Sequence, residues 1–262
     1  MQQSWLCIMH SIWKNQSNFL WGKALVSDIF LSIVIPAYNE KLRISETLTK
    51  IVSYLSNQHY SWEIVVANDG STDGTDEIVT GSISSNPNIR LLNLEHGGKG
   101  WAVKNGMLDA KGRYRFLVDA DLSMPIEEIS KFMPYFEDGS DIVIGSREVP
   151  GAHRFDEPKN RHIQSKVFSL LVKCLALRGI SDTQCGFKCF TEEAVGALFP
   201  MQVSNGFSFD VEILFLAKRY GFEITEIPIE WHYRDGSKVR PIIDSIIMLK
   251  DILTIRLRHI GQ

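Results

Sequence analysis

The chain has 262 residues, enough to bury a full core in one large domain with extensions. Hydrophobic residues make up 44% and charged residues 23%, with a formal net charge of −3. That balance excludes a disordered chain and supplies no global basic field for nucleic acid. The four cysteines, Cys7, Cys174, Cys185 and Cys189, lack zinc-knuckle spacing, so reduced thiols in a cytosolic setting are expected.

The chain begins MQQSWLCIMHSIWKNQ, with no charged n-region and no small-residue cleavage signal, so it does not read as a secretory peptide. Residues 1–28 are expected to form a loosely packed extension. Lys23 and Asp28 interrupt the early apolar run, and no stretch approaches the ~20 apolar residues of a spanning helix.

From residue 30 short β-branched runs alternate with helical patterns. FLSIVIPA, WEIVVA, IRLLNL, YRFLVDA and DIVIGS read as buried strands, each followed by Gly, Asn, Asp or Pro. Between them RISETLTKIVSYL, TDGTDEIVTGSI, GWAVKNGMLDA and PIEEISKFMPYF carry apolar residues at helical spacing. Repeated strand–helix units imply an α/β fold with a mostly parallel sheet, whose ligands gather at the carboxyl ends of the strands. Each early strand ends in a polar cluster, PAYNE, NDGSTDG, DAD or GSR, and these tips are expected to line one crevice. After Val149 come a polar loop, an apolar helix over 164–179, a helix near FSFDVEILFLAKRYG, a strand FEITEIPIEW, and an amphipathic helix PIIDSIIMLKDILTIRLRHI.

Several clusters carry chemistry. In PAYNE, Pro36 stops the ladder, Asn39 suits a turn and Glu40 is placed to accept hydrogen bonds; a helix-capping turn explains the same residues. In NDGSTDGTDE, Asp69 in a Gly turn suits a base N–H or a ribose hydroxyl, while Thr72 and Asp73 read as helix caps. EHGGKGWAVKNG sets Gly97, Gly98, Lys99 and Gly100 at a helix entrance, where backbone N–H groups and the lysine favour an anion; a loop permissive for positive φ is the alternative. In FLVDADLSMP, Asp119 and Asp121 project to one side of an extended chain, and two carboxylates that close call for a cation. The alternative is that Asp119 ends the strand and Asp121 caps the helix before Pro125.

In order and spacing these motifs resemble family-two inverting glycosyltransferases of the GT-A fold, over roughly residues 30–240. SDTQCGFKCF, GFSFDVEI and EIPIEWHYRDGSKV look most like the dolichyl-phosphate (polyprenyl-phosphate) β-glucosyltransferases. The resemblance implies a GT-A domain at 29–238 between the 1–28 extension and a C-terminal amphipathic helix at 239–262. It implies that Pro36, Ala37, Tyr38, Glu40 and Asp69 hold uridine and ribose, with Lys99 near the nucleotide. Asp119 and Asp121 become a DxD pair, Asp121 the direct ligand of Mg2+ or Mn2+ on the diphosphate. The sequence departs from the pattern at Asn68, His96, Trp101 and Leu122, the last standing where Gly is frequent.

A lipid phosphate acceptor is already ionised and needs cations to hold it, for which Arg147, Arg234 and Lys238 are candidates; solvated surface charge is the other reading of each. A saccharide hydroxyl instead requires a base, and the resemblance offers Asp182 first and Asp210 second, with a plain loop cap competing for Asp182. The expected activity is metal-dependent transfer of a hexose, glucose from UDP-glucose foremost, to a polyprenyl phosphate. GDP-mannose or another donor, a saccharide acceptor, and a non-catalytic nucleotide-sugar-binding protein are the rivals. The helices over 164–179 and 241–260 are placed to lie in a membrane interface or to bury their stripes against protein, including a second subunit. Peripheral attachment at a cytoplasmic membrane face is the expected location.

Overall fold

The computed structural model describes residues 28–156, 177, 179–234 and, near the C-terminus, 247, 248, 250–252, 254, 255 and 257. The expected extension before Asp28, most of the 164–179 helix and Lys238 lie outside the described residues.

Among the described residues, nine strands and the helices between them run in chain order: β1 (Leu31–Ala37), α1 (Ile44–Leu55), β2 (Trp62–Asp69), α2 (Thr75–Ser85), β3 (Ile89–Leu94), α3 (Lys99–Asp109) and β4 (Tyr114–Val118). A 3-10 turn (Ile126–Lys131) leads to α4 (Met133–Glu137), β5 (Ile142–Ser146) and β6 (His153–Phe155). The second half holds β7 (Phe187–Thr191), α5 (Glu192–Leu198), α6 (Phe209–Arg219), β8 (Ile224–Pro228) and β9 (Glu230–His232). Seven strands form the central sheet in the order β3-β2-β1-β4-β7-β5-β8, and β6 pairs with β9 in a separate ribbon. Every pairing in the central sheet is parallel except those of β7, which runs against both β4 and β5.

Alternation along the strands sorts the core. Ile33 and Ile35 of β1, with Ile64 and Val66 of β2, join α1 and the 3-10 turn on one face; Val34 and Val65 point the other way, to α3, α5 and α6. Both faces are covered, which is why the strands read as continuous apolar runs. Met248 and Ile252 of the C-terminal segment belong to the second cluster, and Ile255 is 2% exposed, so this stripe is buried against protein. No helix among the described residues is long and apolar enough to cross a membrane.

Three local expectations change. The single helix read over 125–136 is a 3-10 turn followed by one α-helical turn, because Pro134 has no N–H to continue the ladder. FEITEIPIEW is two strands: β8 follows β5 as far as Ser146↔Pro228, after which Glu230–His232 turn to β6. FKCFT, which the sequence marks only as part of a motif, is the antiparallel strand β7.

Candidate active site

The tips of β1 and β2 are laced together. Asn39 sits at φ 52, a left-handed turn position its short side chain tolerates. Its Oδ1 accepts from the Thr72 N–H at 2.8 Å and its own N–H donates to Ser71 Oγ at 2.9 Å. The N-cap position of α2 is Gly74, so neither Thr72 nor Asp73 occupies it. Asp73 still ties the helix entrance from one residue before: its carboxylate accepts from the Thr75 N–H at 3.0 Å and from the Lys41 N–H at 3.0 Å. Glu40 donates its N–H to Thr75 Oγ1, and its carboxylate lies 2.8 Å from Arg43 Nε. Tyr38 follows Pro36 and Ala37 out of β1 and stacks on His96 with ring centroids 4.3 Å apart.

Asp69 ends β2 and is 2% exposed. Its Oδ1 accepts from the Gly97 N–H at 2.8 Å, its Oδ2 accepts from the Gly98 N–H at 3.0 Å, and His96 Nδ1 lies 2.9 Å from Oδ2. The anion that the glycine loop cradles is thus Asp69 of the chain itself, which fixes the entrance of α3 and so the place of Lys99. Gly100 lets that helix press on the loop before α6: a Cβ there would fall 2.4 Å from the Ser204 carbonyl oxygen.

At the tip of β4 the sequence-predicted acidic pair meets that lysine. Lys99 Nζ lies 2.7 Å from Asp119 Oδ1. Asp121 Oδ1 accepts from the Ser123 N–H at 2.9 Å, and Thr47 Oγ1 donates to the Ala120 carbonyl at 2.6 Å, pinning the residue between the two carboxylates. Leu122 turns the chain at φ 45 while remaining buried. Behind Asp119 lies a buried ion pair, Lys188 Nζ to Asp210 Oδ1 at 2.5 Å, with the same ammonium donating to the Cys185 carbonyl. Burial alone depresses the Lys99 ammonium, but Asp119, Asp210 and Asp121 outweigh it and hold its pKa above the usual lysine value. Burial raises the Asp210 carboxyl against the pull of Lys188 and Lys99. Asp119, Lys99, Asp210 and Lys188 thus form a chain of alternating charge leading inward from the crevice.

Arg147 directly follows β5 and reaches Asp182. Its Nε donates to Asp182 Oδ2 at 2.6 Å and a terminal nitrogen donates to Oδ1 at 2.9 Å, a bidentate fork. The Trp231 ring lies 5.7 Å from the guanidinium carbon. Glu226 of β8 accepts the N–H groups of Ser181 and Asp182 at 2.6 and 2.9 Å. Burial would raise the Asp182 carboxyl; the Arg147 charge and hydrogen bonds overturn that and hold it at about 2. Arg234 lines a groove of about 630 Å³ with Lys50, Glu127, His232 and Leu122, the last of which directly follows Asp121.

Asp119, Asp121, Lys99 and Asp210 are therefore brought together, while Arg147 and Asp182 are paired with each other. Gly186, Lys188 and Glu226 also take part, although no sequence motif assigns them a role. Their signal lies in SDTQCGFKCF, where a lysine inside a buried apolar run implies a buried partner, and in EITEIPIEW, where Glu226 interrupts a strand.

The residues at the β4 tip fit a divalent ion that arrives with its substrate. Asp119 and Asp121 offer hard oxygen donors, and no group of three or more acidic, His or Cys side chains able to hold an ion occurs among the described residues. Such a pair would hold the ion from one side, with phosphate oxygens and water supplying its other ligands.

A parallel sheet with one reversed strand and an acidic pair at the β4 tip is the architecture of a GT-A glycosyltransferase. The chain superposes on mannosyl-3-phosphoglycerate synthase from Rubrobacter xylanophilus with a TM-score of 0.66 at 16% identity, covering 89% of this chain and 75% of that one. Glucosyl-3-phosphoglycerate synthase from Mycobacterium tuberculosis, solved with Mn2+, UDP and glucosyl-3-phosphoglycerate, gives 0.63 at 18% identity over 89% and 80%. The chain belongs to glycosyl transferase family 2, whose sequence model matches residues 32–199. Among its relatives, the dolichyl-phosphate beta-glucosyltransferase of Dictyostelium discoideum is 38% identical over 91% of this chain and 77% of its own length. The enzyme of the same name from Saccharomyces cerevisiae is 38% identical over 89% and 76%. The protein is a glycosyltransferase.

Proposed function

We propose that the enzyme transfers glucose from UDP-glucose to dolichyl or another polyprenyl phosphate at a membrane surface, with inversion at the anomeric carbon. The observation that carries this reading is that two clusters of paired charge stand at neighbouring strand tips, Asp119 with Lys99 after β4 and Arg147 with Asp182 after β5. Asp119 and Asp121 would hold Mg2+ or Mn2+ for the donor, and Arg147 would take the acceptor's phosphate. The names of the relatives support the sugar and the lipid, and the Mn2+ and UDP in the mycobacterial complex support the donor and ion.

Pro36, Ala37 and Tyr38, with the Tyr38–His96 stack, offer the uracil a flat apolar surface, and Glu40 lies within reach of the ribose. Asp69 acts by fixing the glycine loop that presents Lys99. The Lys99 ammonium, held charged by its carboxylate neighbours, meets the negative charge of the leaving nucleotide. A bound divalent ion would add Lewis-acid stabilisation to that departing diphosphate. Holding both reactants in line supplies the rest.

The test is incubation with radiolabelled UDP-glucose, UDP-galactose and GDP-mannose, each with a short-chain polyprenyl phosphate and Mn2+. Label from UDP-glucose is expected in the organic phase. Label that stays entirely in the aqueous phase eliminates the lipid acceptor, and label from GDP-mannose alone eliminates the donor.

A further inference from the structure

We propose that Asp182 is a positioning residue that fixes the Arg147 guanidinium for the acceptor phosphate, and that it does not serve as a base. The inference rests on the glucosyl-transfer reading and adds to it a role for Asp182. An ionised carboxylate offers about four lone-pair sites, and at Asp182 four hydrogen bonds take them. Oδ2 accepts from Arg147 Nε at 2.6 Å and from the Arg147 N–H at 3.1 Å; Oδ1 accepts from the terminal guanidinium nitrogen at 2.9 Å and from the Gln184 N–H at 3.2 Å. No lone pair is left to receive a substrate proton. The carboxyl's acidity, far below that of a base working near neutrality, agrees with the geometry. Asp210, the other carboxylate considered as a base, is 5% exposed and bound by Lys188 at 2.5 Å.

The surroundings hold the fork rather than open it. Glu226 grips the backbone of Ser181 and Asp182 from β8, Trp231 of β9 lies over the guanidinium, and the loop that begins at Asp182 ends with Gly186 against Asp119. Arg147 is thereby set at a fixed distance from the acidic pair, as an in-line transfer between two phosphates requires. In that transfer an acceptor phosphate oxygen bonds to the anomeric carbon while the bond from that carbon to the β-phosphate oxygen breaks. The electron pair leaves with UDP, and no proton has to be taken from the nucleophile.

The experiment compares wild type, Asp182→Asn, Arg147→Gln and the double variant for donor KM, acceptor KM and kcat with UDP-glucose and a short-chain polyprenyl phosphate. Positioning predicts that Asp182→Asn raises the acceptor KM about tenfold or more, leaves the donor KM within about threefold, and adds little in the Arg147→Gln background. A fall in kcat of about a hundredfold or more at saturating acceptor, with acceptor KM unchanged, restores Asp182 as a base and overturns the proposal. If Asp182→Asn does not fold, Arg147→Lys decides: it keeps the charge but loses the planar fork, so an unchanged acceptor KM overturns the proposal and a raised one supports it. Wild-type enzyme that labels no lipid at all rejects the polyprenyl-phosphate reading itself, an outcome separate from these.

Discussion

Asp119 and Gly186 touch across the junction of β4 and β7 so closely that a Cβ on residue 186 would fall 2.0 Å from Asp119 Oδ2 and 2.5 Å from its Cγ. The glycine is there to make room for a carboxylate. Its φ lies outside the left-handed region, so close approach rather than backbone freedom calls for glycine here.

Gly186→Ala should therefore leave a folded enzyme whose Asp119 has been pushed out of line. A displacement near 1 Å at a reacting site costs on the order of 100-fold in rate. Transfer assays should show that loss, while thermal denaturation stays within a few degrees of wild type. A collapsed melting temperature with normal specific activity in the folded fraction contradicts this account.

Asp121→Asn removes one hard anionic donor and keeps the shape. Transfer should fall by roughly 100-fold or more, and chelation of wild type should do the same, reversed by Mn2+ or Mg2+. Chelator-treated enzyme that works at full speed refutes the metal assignment.

The Arg147–Asp182 pair makes acid stability a measurable quantity. The Asp182 carboxyl is held at about 2, below its ordinary value of 3.8, so its contribution is complete above about pH 4 and disappears as pH falls through about 2. The size is on the order of 2 kcal/mol near neutrality. Urea unfolding of wild type and Asp182→Asn should accordingly differ most at neutral pH, with the gap shrinking as pH is lowered. A gap that widens toward acid contradicts the sign.

Leu122 combines a left-handed backbone with a buried side chain. Truncation to Ala gives up about 2–5 kcal/mol of packing and keeps the backbone strain. Leu122→Gly gives up similar packing but relieves roughly 1 kcal/mol of strain. Glycine should therefore be the milder substitution in denaturant melts, the reverse of the order in a helix or strand; the ordinary order would mean that the turn is unstrained.

The strands β1 to β5 and the acidic pair are legible in the sequence because each obeys a local rule: a β-branched run, a polar tip, two carboxylates one residue apart. β7 is not, since FKCFT carries a lysine, and its place between β4 and β5 depends on partners distant in sequence. The ribbon of β6 and β9 has three residues on each side, too few for a period to register. Gly97 and Gly98 do donate to an anion, as their loop suggests, but only the fold supplies that anion from Asp69. Arg147 and Asp182 both stand out in the sequence; that each is the other's partner is a fact of tertiary structure, since 35 positions separate them.

The reversed direction of β7 has a topological consequence. A strand laid parallel to its neighbours would receive its preceding loop at the rear of the sheet, far from any ligand. Because β7 enters from the front, residues 181–186 arrive beside two strand tips at once, bracing an arginine at one end and an aspartate at the other. Insertions or deletions in that short stretch would retune the spacing between donor and acceptor while leaving the Asp69-anchored glycine loop untouched.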